Sequence, residues 1–200
     1  LKLTGEALAA AHEALREREI KLLPHRGGRL YMEPIYPDPT LYIFGAGHIS
    51  RYLAPLANMV EFRVVVIDDR KEYANREHFP QADDIWVRQF EGVGEGIKPD
   101  EESYIVIVTR GHLHDYTVLK EVLRKGARYI GMIGSRRKRE LIYQQLRQEG
   151  YTQEELDRIH APIGLDINAE TPEEIAISII AELIRVRAEG KAPKEKTWRV

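Results

Sequence analysis

The sequence predicts an α/β fold, a parallel β-sheet with flanking helices, and three observations carry that prediction. From residue 40 onward strand-like and helix-like segments alternate, which is the pattern of parallel strands joined by crossover helices. Four apolar runs each end in a dense polar cluster. Leu41 to Phe44 runs into Gly45-Ala46-Gly47-His48, and Val64 to Ile67 into Asp68-Asp69-Arg70. Tyr104 to Val108 runs into Thr109-Arg110-Gly111-His112, and Ile130 to Ile133 into Gly134-Ser135-Arg136. Ligands of open parallel sheets sit in the crevice outside the carboxyl ends of the strands, so the four clusters point at one pocket. Finally, Gly45-x-Gly47-x-x-Ser50 lies between a strand and a helix, as a Rossmann-like nucleotide-binding turn does.

Taken in order, Thr4 caps a helix over about residues 5–19, with Leu8, Ala11 and Leu15 on one face. His25 to Gly28 reads as a turn, Arg29 to Glu33 as a short strand, and Pro34, Pro37 and Pro39 as a stiff connector. A short N-terminal helix-strand segment, residues 1–38, thus precedes a Rossmann-like domain over 39–187, and 188–200 is a charged tail. Within the domain the strands are 41–44, 62–67, 85–88, 104–108 and 129–133, and a helix at 48–59 follows the first. The helix after the fourth strand packs Val118, Leu119, Val122 and Leu123; the one after the fifth packs Leu141, Ile142 and Leu146 and ends at Gly150. Thr152-Gln153-Glu154-Glu155 and Thr171-Pro172-Glu173-Glu174 are capping boxes. The helix after the second packs Ile175, Ile179, Ile180, Leu183 and Ile184.

Bulk composition bounds the function. The chain is 43% hydrophobic and 31% charged with a formal net charge of −2, a globular composition that argues against bulk electrostatic binding of nucleic acid. It contains no cysteine, which excludes disulfides, thiolate nucleophiles and cysteine-ligated zinc or iron–sulfur clusters. The longest apolar stretches are far short of a membrane span and no basic-then-apolar signal opens the chain. A cytoplasmic protein is expected, homo-oligomeric, with no membrane partner.

The candidate site residues follow from chemistry. Gly45 permits a tight turn, Gly47 lets backbone approach a pyrophosphate at the helix N-terminus, and His48 opens that helix. Serine at position 50 loosens the helix–strand contact that a third glycine would give. Asp68 lies where a ribose-binding acid belongs, while Arg70 suits a 2′-phosphate, so the choice between NAD and NADP stays open. Asp69 and Arg70 also read as a solvated surface pair.

Arg136, Arg137, Lys138 and Arg139 crowd a helix N-terminus, where each cation opposes the helix dipole by about 0.3–1 kcal/mol. A bound phosphate reverses that sign, so Gly134, Ser135, Arg136 and Lys138 read as an anion clamp, with a solvated basic face as the alternative. Thr109 and Arg110 stand at the fourth strand tip, and His112 with Asp115 are the candidates for proton chemistry; Asp115 reads equally as a helix N-cap. His48, His112, His114 and Asp115 are of metal-ligating type, but residues two apart diverge on a helix, and no metal site is assigned. The segment Pro162 to Glu170 is too polar for a plain connector and reads either as a pocket wall or as a structural crossover.

These motifs resemble the XdhC/CoxI family of molybdenum-cofactor maturation factors. The resemblance runs from Leu41 to Leu183. It is carried by Phe44 to His48, Val66 to Arg70, Thr109 to His112 with Asp115, Ile133 to Lys138, and above all Pro162 to Ile167 with Glu170 to Ala176. It implies a chaperone that binds molybdenum cofactor (molybdopterin) and delivers its sulfurated form to a xanthine dehydrogenase-type molybdenum hydroxylase, with a sulfurating enzyme as a further partner. It also implies a longer N-terminal domain with a cysteine-containing glycine-rich segment, of which residues 1–38 resemble the end; a separate subunit is the other source of that part. The competing expectations are an NAD(P)-dependent oxidoreductase and a nucleotide-sensing module.

Overall fold

The structure, a computed structural model, describes residues 5–17, 19–25, 27–35 and 38–189. They fall into two compact units, 38–186 and the residues up to 37 with those from 187 onward. The N-terminal unit holds helix α1 (Glu6–Glu17) and an antiparallel hairpin of β1 (Lys21–His25) and β2 (Gly28–Met32). The expected Thr4 cap lies outside the described residues, as does most of the expected tail. Two expectations change here. Leu8 and Leu15 are exposed, and α1 buries Ala7, Ala10 and Ala14 instead. Small side chains give a close-packing face that a search for bulky periodic residues passes over. The strand read at 29–33 also has a partner before the turn, β1, whose internal Pro24 masks its strand character.

The larger unit is a six-stranded sheet in the order β5-β4-β3-β6-β7-β8, with every pairing parallel. Its elements are β3 (Thr40–Phe44), α2 (His48–Met59), β4 (Arg63–Asp68), β5 (Asp84–Val87), β6 (Ser103–Ile107), α3 (His112–Val122), β7 (Tyr129–Met132), α4 (Arg136–Gln148), α5 (Gln153–Asp157), β8 (Ile159–His160) and α6 (Pro172–Ala188). The first strand is central and the chain reverses direction across the sheet between β3 and β6. That switch point puts the β3 and β6 tips side by side.

Strict alternation along the strands builds two cores. Leu41, Ile43, Val64, Val66 and Val106 face α2 and α6, while Phe44, Val65, Ile67, Ile105 and Ile107 face α3 and α4. Both faces are covered, so the strands read as continuous apolar runs.

Both capping boxes form: Thr152 Oγ1 accepts from the Glu155 amide at 3.2 Å, and Thr171 Oγ1 from the Glu174 amide at 3.3 Å. Gly150 follows α4 in a left-handed conformation, φ +85°. Two helix faces are rotated from expectation. Leu141 is 60% exposed and Tyr143 takes the inward position; Ile184 is 39% exposed while Ala176 and Val186 are buried. The two-residue β8, absent from the expected strands, is too short for a periodic signal.

Candidate functional site

The glycine turn is built by packing before any ligand is considered. Gly45 has φ +106°, and a Cβ there would lie 2.4 Å from the Val108 carbonyl oxygen, so only glycine fits between β3 and the end of β6. Gly47 is different: a Cβ there meets nothing within 4 Å, so no contact of the fold demands glycine. Ser50 does not loosen the turn. It is fully buried and its hydroxyl donates to the Gly45 carbonyl, tying α2 to the loop. His48 is exposed at the start of α2.

At the β4 tip Asp68 is buried and takes four donors. The Ala46 amide reaches Oδ2 at 2.8 Å, the Arg70 amide and Nε reach Oδ1 at 3.0 and 2.9 Å, and Arg70 Nη2 reaches Oδ2 at 3.1 Å. Burial alone would raise this carboxyl, but the hydrogen bonds from Arg70 and the Ala46 amide outweigh it and hold it below the usual carboxylate range. The Arg70 guanidinium lies 3.9 Å from the Tyr73 ring centre. Asp69 accepts a bidentate pair from Arg110, at 2.9 and 2.8 Å. Asp69 is on β4's end and Arg110 on β6's, with β3 between them, so this pair bridges the two strands that flank the glycine turn. Asp69 is therefore an organised part of the crevice, with a side chain only 10% exposed, and not a solvated surface acid.

Asp115 is fully buried beneath the β6 tip. Thr109 donates to it through Oγ1 at 2.5 Å and through its amide at 3.2 Å, and Lys138 forms an ion pair with its other oxygen. Burial pushes the carboxyl up, and Lys138 and Thr109 offset only part of that. Asp115 is not the α3 cap, which is Gly111. His112 is exposed, and among the described residues no hydrogen bond joins it to Asp115. His114 packs against Phe90 with ring centres 5.3 Å apart. Among the described residues no three acidic or histidine side chains are placed to hold a metal ion.

The α4 N-terminus differs from the other strand tips. Ser135 is its cap and accepts from the Lys138 amide at 3.3 Å. Gly134, at φ +148°, gives room to the Lys138 stem, whose Cδ would lie 2.8 Å from a Cβ. Arg139 turns away to the Ala161 carbonyl at 3.0 Å and to Glu140 at 2.6 Å. Arg136 and Arg137 remain exposed, and among the described residues neither has an ion-pair partner. So Arg70, Arg110 and Lys138 are each matched by a carboxylate, whereas among the described residues Arg136 and Arg137 are not.

Two cavities flank that charge. One, of 540 Å³, lies between α3 and α4, with Leu113, Tyr116, Leu141 and Arg137 on its walls. The other, of 640 Å³, lies between Gly134-Ser135-Arg136 and the 162–169 segment. That segment, read from sequence as wall or crossover, serves as both.

Its anchor is a buried cluster that sequence reading missed. Glu182 accepts from the Tyr129 hydroxyl at 2.6 Å, from the Gly164 amide at 2.8 Å and from Arg185 at 3.1 Å, and lies 3.1 Å from His160 Nδ1. A glutamate at a core position of the helical repeat was the available signal. Burial opposes its ionisation, but bonds from His160, Tyr129 and Gly164 bring it down to about 2. A depressed carboxyl contributes stability that is present above its unfolded value, about 4.3, and lost as pH falls toward 2. Glu182→Gln should therefore flatten the acid limb of a urea-denaturation series by on the order of 3 kcal/mol. Parallel wild-type and variant limbs below about pH 5 would refute it.

Residues 41–183 match the family model described as the XdhC Rossmann domain. The chain is 31% identical over 191 residues to the uncharacterized protein YqeB of Escherichia coli (strain K12), covering 88% of this chain and 35% of that one. It is 31% identical over 167 residues to a probable xanthine dehydrogenase subunit of Bacillus subtilis (strain 168), covering 82% and 48%. A shorter match, 28% over 88 residues, is to the molybdenum cofactor insertion chaperone PaoD of Escherichia coli (strain K12), covering 44% and 28%. A crystal structure described as a xanthine dehydrogenase from Bacillus halodurans superposes with a TM-score of 0.71 at 28% identity, covering 98% of this chain and 54% of that one. The chain thus spans half or less of the length of these curated relatives. By the extent of the family match over the whole sheet and its strand-tip loops, the chain belongs to the XdhC Rossmann-domain family.

Proposed function

We propose that the chain is the Rossmann part of a maturation factor that holds molybdenum cofactor for a molybdenum hydroxylase of the xanthine dehydrogenase type. A relative named as a molybdenum cofactor insertion chaperone and another named as a probable subunit of xanthine dehydrogenase support the role. The carrying observation is the charge distribution. At the strand tips Arg70, Arg110 and Lys138 are each matched by a carboxylate, whereas the α4 N-terminus presents Arg136 and Arg137 with no ion-pair partner among the described residues, beside two cavities.

The cofactor's terminal phosphate fits the α4 N-terminus, where helix amides and Arg136 converge on an anion. Ser135 and the Gly134 backbone shape the approach. When bound, the cofactor supplies the redox chemistry of its target enzyme; this chain's residues bind and shield it. NAD(P) fits less well. Asp68 has its oxygens occupied by four donors, and the Asp69–Arg110 bridge stands at the crevice that a pyrophosphate would enter. Delivery of a sulfurated cofactor calls for a sulfurating enzyme as a second partner. No helix among the described residues is long and apolar enough to cross a membrane.

Calorimetric titration of the full chain tests the reading. Molybdopterin should bind, NAD⁺ and NADP⁺ should not, and Arg136→Ala with Arg137→Ala should weaken molybdopterin roughly tenfold or more. Both side chains are exposed and unmatched, so the melting temperature should not change. Unaltered affinity in the double variant would remove the anion clamp, and nucleotide binding without molybdopterin binding would remove the maturation role.

A further inference from the structure

We infer that the 640 Å³ cavity beside α4 is a subsite for a flat heterocycle bearing a 2-amino-4-oxopyrimidine edge, the edge shared by pterins and guanine, and that Asp166 reads that edge. The inference rests on the cofactor-binding reading above and adds to it the residue that selects the ring.

The wall carrying Asp166 is a built one. The Ile163 amide donates to the Met132 carbonyl at 3.1 Å, the Gly164 amide to Glu182 at 2.8 Å, and Ser178 Oγ to the Leu165 carbonyl at 2.6 Å. Gly164 packs so closely on α6 that a Cβ would lie 2.3 Å from Ser178 Oγ. These bonds lock residues 163–165 to the sheet and to α6. The next three residues leave that anchorage and line the cavity: Asp166, Ile167 and Asn168. Asn168 holds φ +56°, a left-handed conformation that asparagine tolerates better than most residues. Among the described residues the Asp166 carboxylate has no hydrogen-bond or ion-pair partner, and neither has the Asn168 amide. The lining also includes Ser135 and Arg136, and Ile133, Ile163 and Ile175 supply apolar surface.

The chemistry of the lining defines the ligand. An ionised carboxylate only accepts hydrogen bonds, so its complement is an edge with two adjacent N–H donors. A 2-amino group beside a ring N–H is such an edge, and it occurs in both pterin and guanine. Arg136 and the α4 N-terminus suit an anionic group on the same ligand, and the apolar side chains of the lining favour a flat ring. A cavity of this volume falls in the range of sites that enclose a small ligand, about 300–1,000 Å³. Asp166 is thus a specificity residue: a ring without the 2-amino group makes one hydrogen bond fewer to the carboxylate.

The test uses the full chain and three probes: GMP, IMP (which lacks the 2-amino group) and molybdopterin. Wild type should prefer GMP to IMP by roughly tenfold, and Asp166→Asn should abolish that preference and weaken molybdopterin by a similar factor. Arg136→Ala should weaken all three while keeping the GMP-to-IMP ratio. Asp166 is exposed and unpartnered among the described residues, so Asp166→Asn should melt as wild type does, which separates recognition from folding. Equal binding of GMP and IMP by wild type overturns the inference. If molybdopterin binds wild type and Asp166→Asn equally, ring reading by Asp166 falls while the cofactor reading stands. If molybdopterin does not bind but an Asp166-dependent preference for GMP persists, the subsite stands with guanine as its ligand and the cofactor reading falls.

Discussion

Lys138→Ala is expected to lower folding stability by about 2–4 kcal/mol, because it strands the fully buried Asp115 carboxylate without its counter-charge. For a chain of this size that is a fall in melting temperature of roughly 5–15 °C. Removing one member of a buried pair costs more than the pair itself contributes, since the remaining charge has neither water nor counter-charge, and here only the two Thr109 hydrogen bonds are left to it. Acidity should modulate the loss in a defined direction. Burial already raises Asp115, so its ionised form is a cost to the folded state that eases as pH falls through the folded value. Without Lys138 that value rises further, and the gap between variant and wild type should narrow as the pH is lowered from neutrality. Adding Asp115→Asn to Lys138→Ala should recover part of the loss. A Lys138→Ala protein that melts like wild type at neutral pH would show that the pair carries no stability. The contrast with Arg136→Ala matters: neighbours in one basic run are expected to report folding in one case and ligand affinity in the other.

Gly45→Ala is the second large expected effect, a loss of about 3 kcal/mol or more that should leave little folded protein. Two costs add. The backbone sits at φ +106°, which an L side chain rarely adopts, and the new methyl would press on the Val108 carbonyl at 2.4 Å. That carbonyl belongs to the end of the adjacent strand and cannot retreat without breaking the β3–β6 pairing. Gly47→Ala is the control, since its methyl enters open space and should leave the denaturation midpoint within the ordinary range for a surface change. Equal stability of the two variants would mean that the turn relaxes around Gly45.

Much of this fold was legible in the sequence because burial on both faces of a parallel sheet leaves unmistakable apolar runs. The strands read at 41–44, 62–67 and 104–108 each lie within a residue of those observed, Thr40–Phe44, Arg63–Asp68 and Ser103–Ile107. The capping boxes at Thr152 and Thr171 are local chemistry, decided by residues three apart, and they formed as read. Errors arose where the partner, not the residue, decides. Leu141 and Ile184 have the right period but lie on the rim of their helices, and only the position of neighbouring elements turns them outward. Ala7, Ala10 and Ala14 bury because something packs close to them, which composition cannot indicate.

The strand-tip residues divide along the same line. The sequence by itself determined that Gly45, Asp68, Thr109 and Ser135 would gather at one edge, since each follows a strand and parallel strands end on the same side. It also determined the absence of thiol chemistry and the basic run at 136–139. Only the tertiary structure decided which charges are spent. Asp69 and Arg110 are 41 residues apart, Lys138 and Asp115 are 23, and Glu182 reaches Gly164 across 18. A side-chain pair depends on distances of about 3 Å between atoms whose separation along the chain carries no such information. The strand order brought those partners together and left Arg136 and Asp166 lining a cavity with no hydrogen-bond or ion-pair partner among the described residues.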